Sequence, residues 1–161
     1  MCQEKFHNAS KKERELLTKI IPLLMKNRSY DYTLTPIEGF DKYDGILMYN
    51  GKMILLEVKI REKHYDQLYL EKIKYDDLMK IKKEGKYDAI YYINETPQGI
   101  YMARIDDKQF NHISYVLCPD STMDPNKGKV KKAVYELEYE IYLIEEELSE
   151  FYNFIDTSYP K

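Results

Sequence analysis

Residues 43–61 read YDGILMYNGKMILLEVKIR, and within its two apolar runs stand Asp44, Glu57 and Lys59. Burying a charge is costly unless it is paired, so these three residues need a reason to be there. One chemistry suits the set. Mg²⁺ binds one or two carboxylates, keeps several waters and takes phosphate oxygens as further ligands. A lysine beside it can orient or deprotonate a water, or stabilise charge on a phosphate. Together these are the parts for metal-assisted phosphodiester hydrolysis. The competing reading is a paired and solvated acid–acid–lysine cluster at a sheet edge.

The spacing favours the first reading. Asn50-Gly51 between apolar runs is a hairpin signal, because both residues tolerate positive φ. With those two as the loop, Tyr49 faces Lys52 and Asp44 faces Glu57. Facing side chains have Cβ atoms about 4.5–5.5 Å apart. Two carboxylates at that separation repel by about 3 kcal/mol at an effective dielectric of about 20, which a cation must offset. Lys59, two residues beyond Glu57, shares its face. Ile46, Met48, Met53 and Leu55 lie on that face, and Leu47, Ile54, Leu56, Val58 and Ile60 on the other. Strands apolar on both faces are expected to be central. The acid-x-Lys triplet alone is weak, since Glu84-Gly85-Lys86 and Asp106-Asp107-Lys108 also match. Only Glu57-Val58-Lys59 sits in an apolar strand with a facing Asp.

The elements that must position these residues follow from periodicity. Residues 10–27 are expected to be a helix, with a capping box at Ser10 and Glu13 and a stripe of Leu16, Leu17, Ile20 and Leu24. A short strand is expected at 32–37, the hairpin at 43–49 and 52–60, and a second helix at 66–84 ending near Gly85. Leu70, Ile73, Leu78 and Ile81 would form the buried face of that helix. Further strands are expected at 87–94, 100–105 and 114–119, around a Thr96-Pro97-Gln98-Gly99 turn. Residues 119–129 read as turn-rich, and 135–143 alternate as in a half-buried strand, or else as a helix continuing through 145–155. This order gives an α/β or α+β sandwich around a mixed sheet.

Composition narrows the classes. The 161 residues, 43% hydrophobic and 33% charged, are expected to form one soluble domain over 1–161. No run approaches the ~20 apolar residues of a membrane span, and the polar N-terminus lacks a secretory signal. Cys2 and Cys118 lie far apart without CxxC spacing, which points to a reducing, cytoplasmic setting. Net charge is −3, so nucleic acid would have to be met through local basic patches or bound cations. The 17 tyrosines read first as core and half-buried strand residues, with base stacking the lesser alternative. His7, His64 and His112 lack zinc-ligand spacing. There is no phosphate-binding glycine loop and no nucleophile elbow.

At Asp44 and Glu57-Val58-Lys59 the chain resembles the PD-(D/E)xK nuclease superfamily, over roughly residues 10–94. The resemblance implies a restriction-endonuclease-like α/β core, a central mixed β-sheet flanked by helices. It implies Mg²⁺, with Mn²⁺ able to substitute, held by Asp44, Glu57 and the carbonyl of Val58, with Lys59 near the attacking water. Tyr43 stands where the family name has proline. DQLYLEKIKYDDL also resembles small phage and bacterial nucleases of this group, whereas Gln67 followed by Glu71 departs from the QxxxY motif of RecB-like members. Family members often place a first-helix glutamate near the metals. Glu13 is the candidate here, with helix capping its stronger reading.

Lys74, near the middle of the second helix's stripe, either reaches the phosphate or, as the preferred reading, snorkels to the helix edge. Arg61 and Lys63 are candidates for backbone phosphates, and Lys127, Lys129, Lys131 and Lys132 form a basic patch that is usually just solvated. The expectation is therefore a Mg²⁺-dependent DNA endonuclease of a bacterial or phage-infected cell, partnered by DNA and no membrane, with a homodimer left open. The alternative is a non-catalytic DNA-binding or assembly module on the same fold.

Overall fold

The computed structural model describes residues 2–37, 39–119, 128–137, 142–143 and 148–157. Helix α1 runs Cys2–Met25 and is followed by strands β1 (Asp31–Leu34), β2 (Gly45–Tyr49), β3 (Lys52–Ile60) and β4 (Leu68–Glu71). Helix α2 (Lys72–Gly85) leads into β5 (Ala89–Thr96), β6 (Gly99–Arg104), β7 (Ser114–Pro119), β8 (Lys129–Leu137), β9 (Tyr142–Leu143) and α3 (Ser149–Asp156). The main sheet has the order β1-β2-β3-β5-β6-β9, and a second sheet the order β4-β8-β7.

Strand β3 is central. It pairs antiparallel with β2 and parallel with β5, so the sheet is mixed. Asn50 and Gly51 take φ values of 51° and 73°, the positive pair that a two-residue hairpin needs. One sheet face is covered by α1 and α3, where Leu17, Ile21, Leu24, Phe151 and Ile155 pack on Leu47, Ile54 and Leu56. The opposite face packs Leu55, Ile90 and Tyr92 against Leu78 of α2 and Leu68, Leu70 and Leu137 of the second sheet. The result is the α/β architecture of a central mixed sheet flanked by helices.

Three expected elements differ. The first helix begins near Cys2, not at residue 10, so Ser10 is a buried mid-helix residue and no capping box exists there. The S-x-x-E pattern identifies a cap only when the chain upstream is non-helical. The second helix starts at Lys72, and residues 68–71 pair with β8 instead. Leu70 is buried, but from that strand, while Ile73 is 74% exposed. Helix α2 ends on Lys86 in the left-handed region, φ 54°, one residue past Gly85. Strand β8 starts earlier than the expected 135–143 segment, of which 138–141 lie outside the described residues, as do 120–127 and 144–147.

Candidate active site

Asp44 precedes β2 by one residue and is held by its backbone. Its N–H donates to the Leu56 carbonyl at 2.9 Å, and its own carbonyl accepts from the Thr35 N–H at 2.9 Å. Leu56 is also the register partner of Gly45, so two residues oppose one, the pattern of a β-bulge. The expected hairpin register holds from Tyr49/Lys52 to Gly45/Leu56 and then yields at Asp44. Asp44 and Glu57 are thus offset neighbours, not a strict facing pair. The Asp44 carboxylate uses the offset, accepting the Val58 N–H on Oδ2 at 2.7 Å.

Both acids are buried, each 7% exposed. Each has a cation beside it. Arg14 of α1 donates from Nη1 to Asp44 Oδ1 at 2.5 Å. It is itself anchored on Thr35, through the carbonyl at 3.0 Å and the hydroxyl at 2.5 Å. Lys74 of α2 places Nζ 2.8 Å from Glu57 Oε1 and donates to the Lys42 carbonyl at 2.9 Å. Glu57 Oε2 is buried with no hydrogen-bond partner among the described residues. Burial, and then the Asp44 charge, push the Glu57 carboxyl up to about 8, against the pull of Lys74.

Glu13 belongs to the same cluster. Its carboxyl is pushed up to about 7, by burial and by Asp44, against Lys59, Arg14 and Lys74. With the helix starting upstream, Glu13 has no cap to serve. Lys59 is half-buried, in register with Asn94 of β5, and no hydrogen bond or ion pair among the described residues holds its ammonium. Lys74 therefore does not simply snorkel to the helix edge, since its ammonium turns in to Glu57. Arg61 turns inward, donating to the Tyr69 carbonyl at 2.7 Å and to Asn94 Oδ1 at 3.3 Å, which ties β3 to β4 and β5. Lys63, Lys129 and Lys131 are exposed, Lys132 pairs with Glu71 at 3.1 Å, and Lys127 lies outside the described residues.

Sequence reasoning missed Arg14 and Thr35. A signal for Arg14 existed, because it continues the helical line of Leu17, Ile21 and Leu24 and so points at the sheet. Thr35 carried none, because its role depends on the register of β1 with β2.

The donor set fits a hard divalent cation. Among the described residues no three His, Cys, Asp or Glu side chains form a ready cage. Mg²⁺ does not need one, since it binds through one or two carboxylates and keeps waters. The partnerless Glu57 Oε2 beside Asp44 supplies the unsatisfied oxygen.

No family model matches the chain, and a search of curated proteins finds no match. Among solved structures it is similar to Archaeoglobus fulgidus Hjc, a Holliday junction resolvase from an archaeal hyperthermophile, at TM-score 0.50 and 14% identity, over 83% of this chain and 97% of that one. The fold is restriction-endonuclease-like. In this restriction-endonuclease-like core, Asp44, Glu57 and Lys59 lie at one end of the β2–β3 pair, with α1 and α2 each sending in a cation. No helix among the described residues is long and apolar enough to cross a membrane.

Proposed function

We propose that this chain is a Mg²⁺-dependent DNA nuclease that cuts internal phosphodiester bonds. One observation carries the reading: Glu57 Oε2 is buried without a partner beside Asp44, in a strand that also bears Lys59. Asp44, Glu57 and the Val58 carbonyl would hold the cation, with Glu13 close by. The cation supplies Lewis-acid activation of water and charge neutralisation at the phosphate. Lys59, whose ammonium has no hydrogen bond or ion pair among the described residues, orients the attacking water or takes charge from the phosphate. Arg14 and Lys74 hold the acids in place before the cation arrives. Mn²⁺ substitutes for Mg²⁺ because it takes the same oxygen ligands.

The test incubates purified protein with plasmid, branched and single-stranded DNA, in Mg²⁺ or Mn²⁺ and then with EDTA. Metal-dependent nicking or linearisation is expected. No cleavage of any substrate by a folded protein would overturn the reading. A branched arm belongs in the panel because the similar Archaeoglobus fulgidus protein is a Holliday junction resolvase.

A second reading is a non-catalytic DNA-binding or assembly module. It is favoured by the ion pairs of Arg14 with Asp44 and Lys74 with Glu57, which already neutralise the acids. Calorimetry separates the two, because a module of this kind binds no Mg²⁺ or Mn²⁺ at millimolar concentration.

A further inference from the structure

Phe40 is 99% exposed, the most exposed large apolar side chain among the described residues. It sits in the 36–43 loop, whose mouth is closed by the Thr35 N–H bond to the Asp44 carbonyl at 2.9 Å. The loop thus begins and ends at the candidate active site. Its foot is fixed. The Thr35 hydroxyl donates to the Tyr43 carbonyl at 2.9 Å, Lys42 pairs with Asp77 of α2 at 3.4 Å, and Tyr43 lies against Tyr87. Its outer limb carries a turn, closed by the Gly39 N–H on the Pro36 carbonyl at 3.0 Å, and Phe40 follows directly. The foot is also tied to the acids, because Lys74 donates to the Lys42 carbonyl while it pairs with Glu57.

An aromatic ring held out in water on a braced loop is an unsatisfied apolar surface. Aromatic side chains along a nucleic-acid path give bases a face to stack on. Phe40 stands four residues from Asp44. Four residues span at most about 14 Å, and a strand advances about 3.4 Å per nucleotide. The ring therefore reaches a base within about four nucleotides of a phosphate at Asp44. In continuous duplex those bases are stacked and offer no free face. A base that is already unpaired costs least to engage.

We infer that Phe40 stacks on an unpaired base close to the cut phosphate, so that the enzyme prefers DNA interrupted by a branch, flap or gap over continuous duplex. This rests on the nuclease reading and names its substrate class. No other side chain of the loop offers a comparable free ring.

The test compares the full-length protein with Phe40→Ala, Phe40→Leu and Phe40→Trp on gapped, branched and continuous duplex DNA. Gapped and branched substrates carry 2-aminopurine at positions one to five nucleotides from the cut. Phe40→Ala should weaken binding to interrupted DNA roughly tenfold, up to about a hundredfold, and leave continuous duplex unchanged. Phe40→Trp should retain binding, and its fluorescence should be quenched by interrupted DNA, the chain having no other tryptophan. Phe40→Leu should behave like Phe40→Ala. A Leu variant as good as Phe would instead indicate an apolar wedge and overturn stacking. An equal loss on duplex, or no loss on any substrate, would also overturn it. If the wild type cleaves nothing, the nuclease reading fails, while the metal-free binding and fluorescence comparison still decides the role of Phe40.

Discussion

Glu57 carries two opposed demands: a charge useful to a cation, and a position from which water is excluded. Its carboxyl is pushed up to about 8 from the ordinary 4.5, and that of Glu13 to about 7, with burial the first cause for both. Between pH 4.5 and about 8 the folded metal-free chain holds protons that the unfolded chain has lost. These groups therefore make stability fall as pH rises through that window, and level off above it. Glu57→Gln should raise the melting temperature of the metal-free protein at pH 8 and leave it little changed at pH 4. Thermal melts across that range, with and without EDTA, check this. Millimolar Mg²⁺ should raise the melting temperature of the wild type at pH 8 by more than that of Glu57→Gln. Lys59 makes the opposite kind of prediction. With no hydrogen bond or ion pair to lose among the described residues, Lys59→Ala should change the melt little, through its pull on the Glu13 carboxyl alone, and lower the cleavage rate by about 10²–10⁴. Asp44→Ala should abolish cleavage and also destabilise, by about 1–3 kcal/mol, because the Val58 N–H loses its acceptor and Arg14 keeps only Glu13, at 3.4 Å, as a carboxylate partner. A melt of Asp44→Ala equal to wild type would show that the Arg14 pair contributes nothing to the fold.

At the scale of the element, the β2–β3 hairpin and the bulge at its open end aim the acids. Gly45 stands where that hairpin meets β1 and α1. A Cβ there would lie 3.1 Å from Leu34 Cδ2, 3.2 Å from the Thr33 carbonyl and 3.4 Å from Leu17 Cδ1. Gly45→Val must push β1 or α1 away, at roughly 1–3 kcal/mol, and the shift falls on the neighbouring Asp44. Urea unfolding should show that loss, and cleavage should fall more than stability alone explains. The hairpin was legible because its signal is local: Asn50-Gly51 sets the turn, and the turn sets the register down to Gly45. The bulge was not, because it depends on Thr35 drawing the Asp44 carbonyl toward β1. Strand β4 differs from the expected helix because Leu70 and Ile73 continue the helical spacing of Leu78 and Ile81, and a four-residue strand is too short for its own alternation to compete. Its partner strand β8 is some sixty residues away in sequence. The same holds for Lys74, whose inward turn depends on where α2 lies against β3, not on its place in the helical stripe.

The whole molecule carries a formal charge of −3, yet its proposed substrate is a polyanion. Long-range attraction cannot bring them together, so binding must rest on few contacts and on the cation. Lys63, Lys129 and Lys131 are exposed, and Lys42 on the Phe40 loop is shared with Asp77. About four phosphates neutralised at about 0.9 each give a slope near −4 for log K against log salt. Anisotropy titrations over a range of NaCl should return a slope of that size, and one near −8 would reveal a basic surface that these residues do not make. The divalent cation should act against its usual direction. Divalent ions compete for phosphates and ordinarily weaken protein–DNA binding. Here the ion would also be held by Asp44 and Glu57, adding positive charge where the DNA backbone passes. Ca²⁺ serves as a ligand of the same oxygen-seeking kind. At constant ionic strength, millimolar Ca²⁺ should tighten binding of the wild-type protein. The same addition should loosen it in an Asp44→Asn, Glu57→Gln double variant, where only competition remains. If Ca²⁺ loosens both equally, the acid cluster does not mediate the contact with DNA, and the metal-dependent reading loses its electrostatic basis.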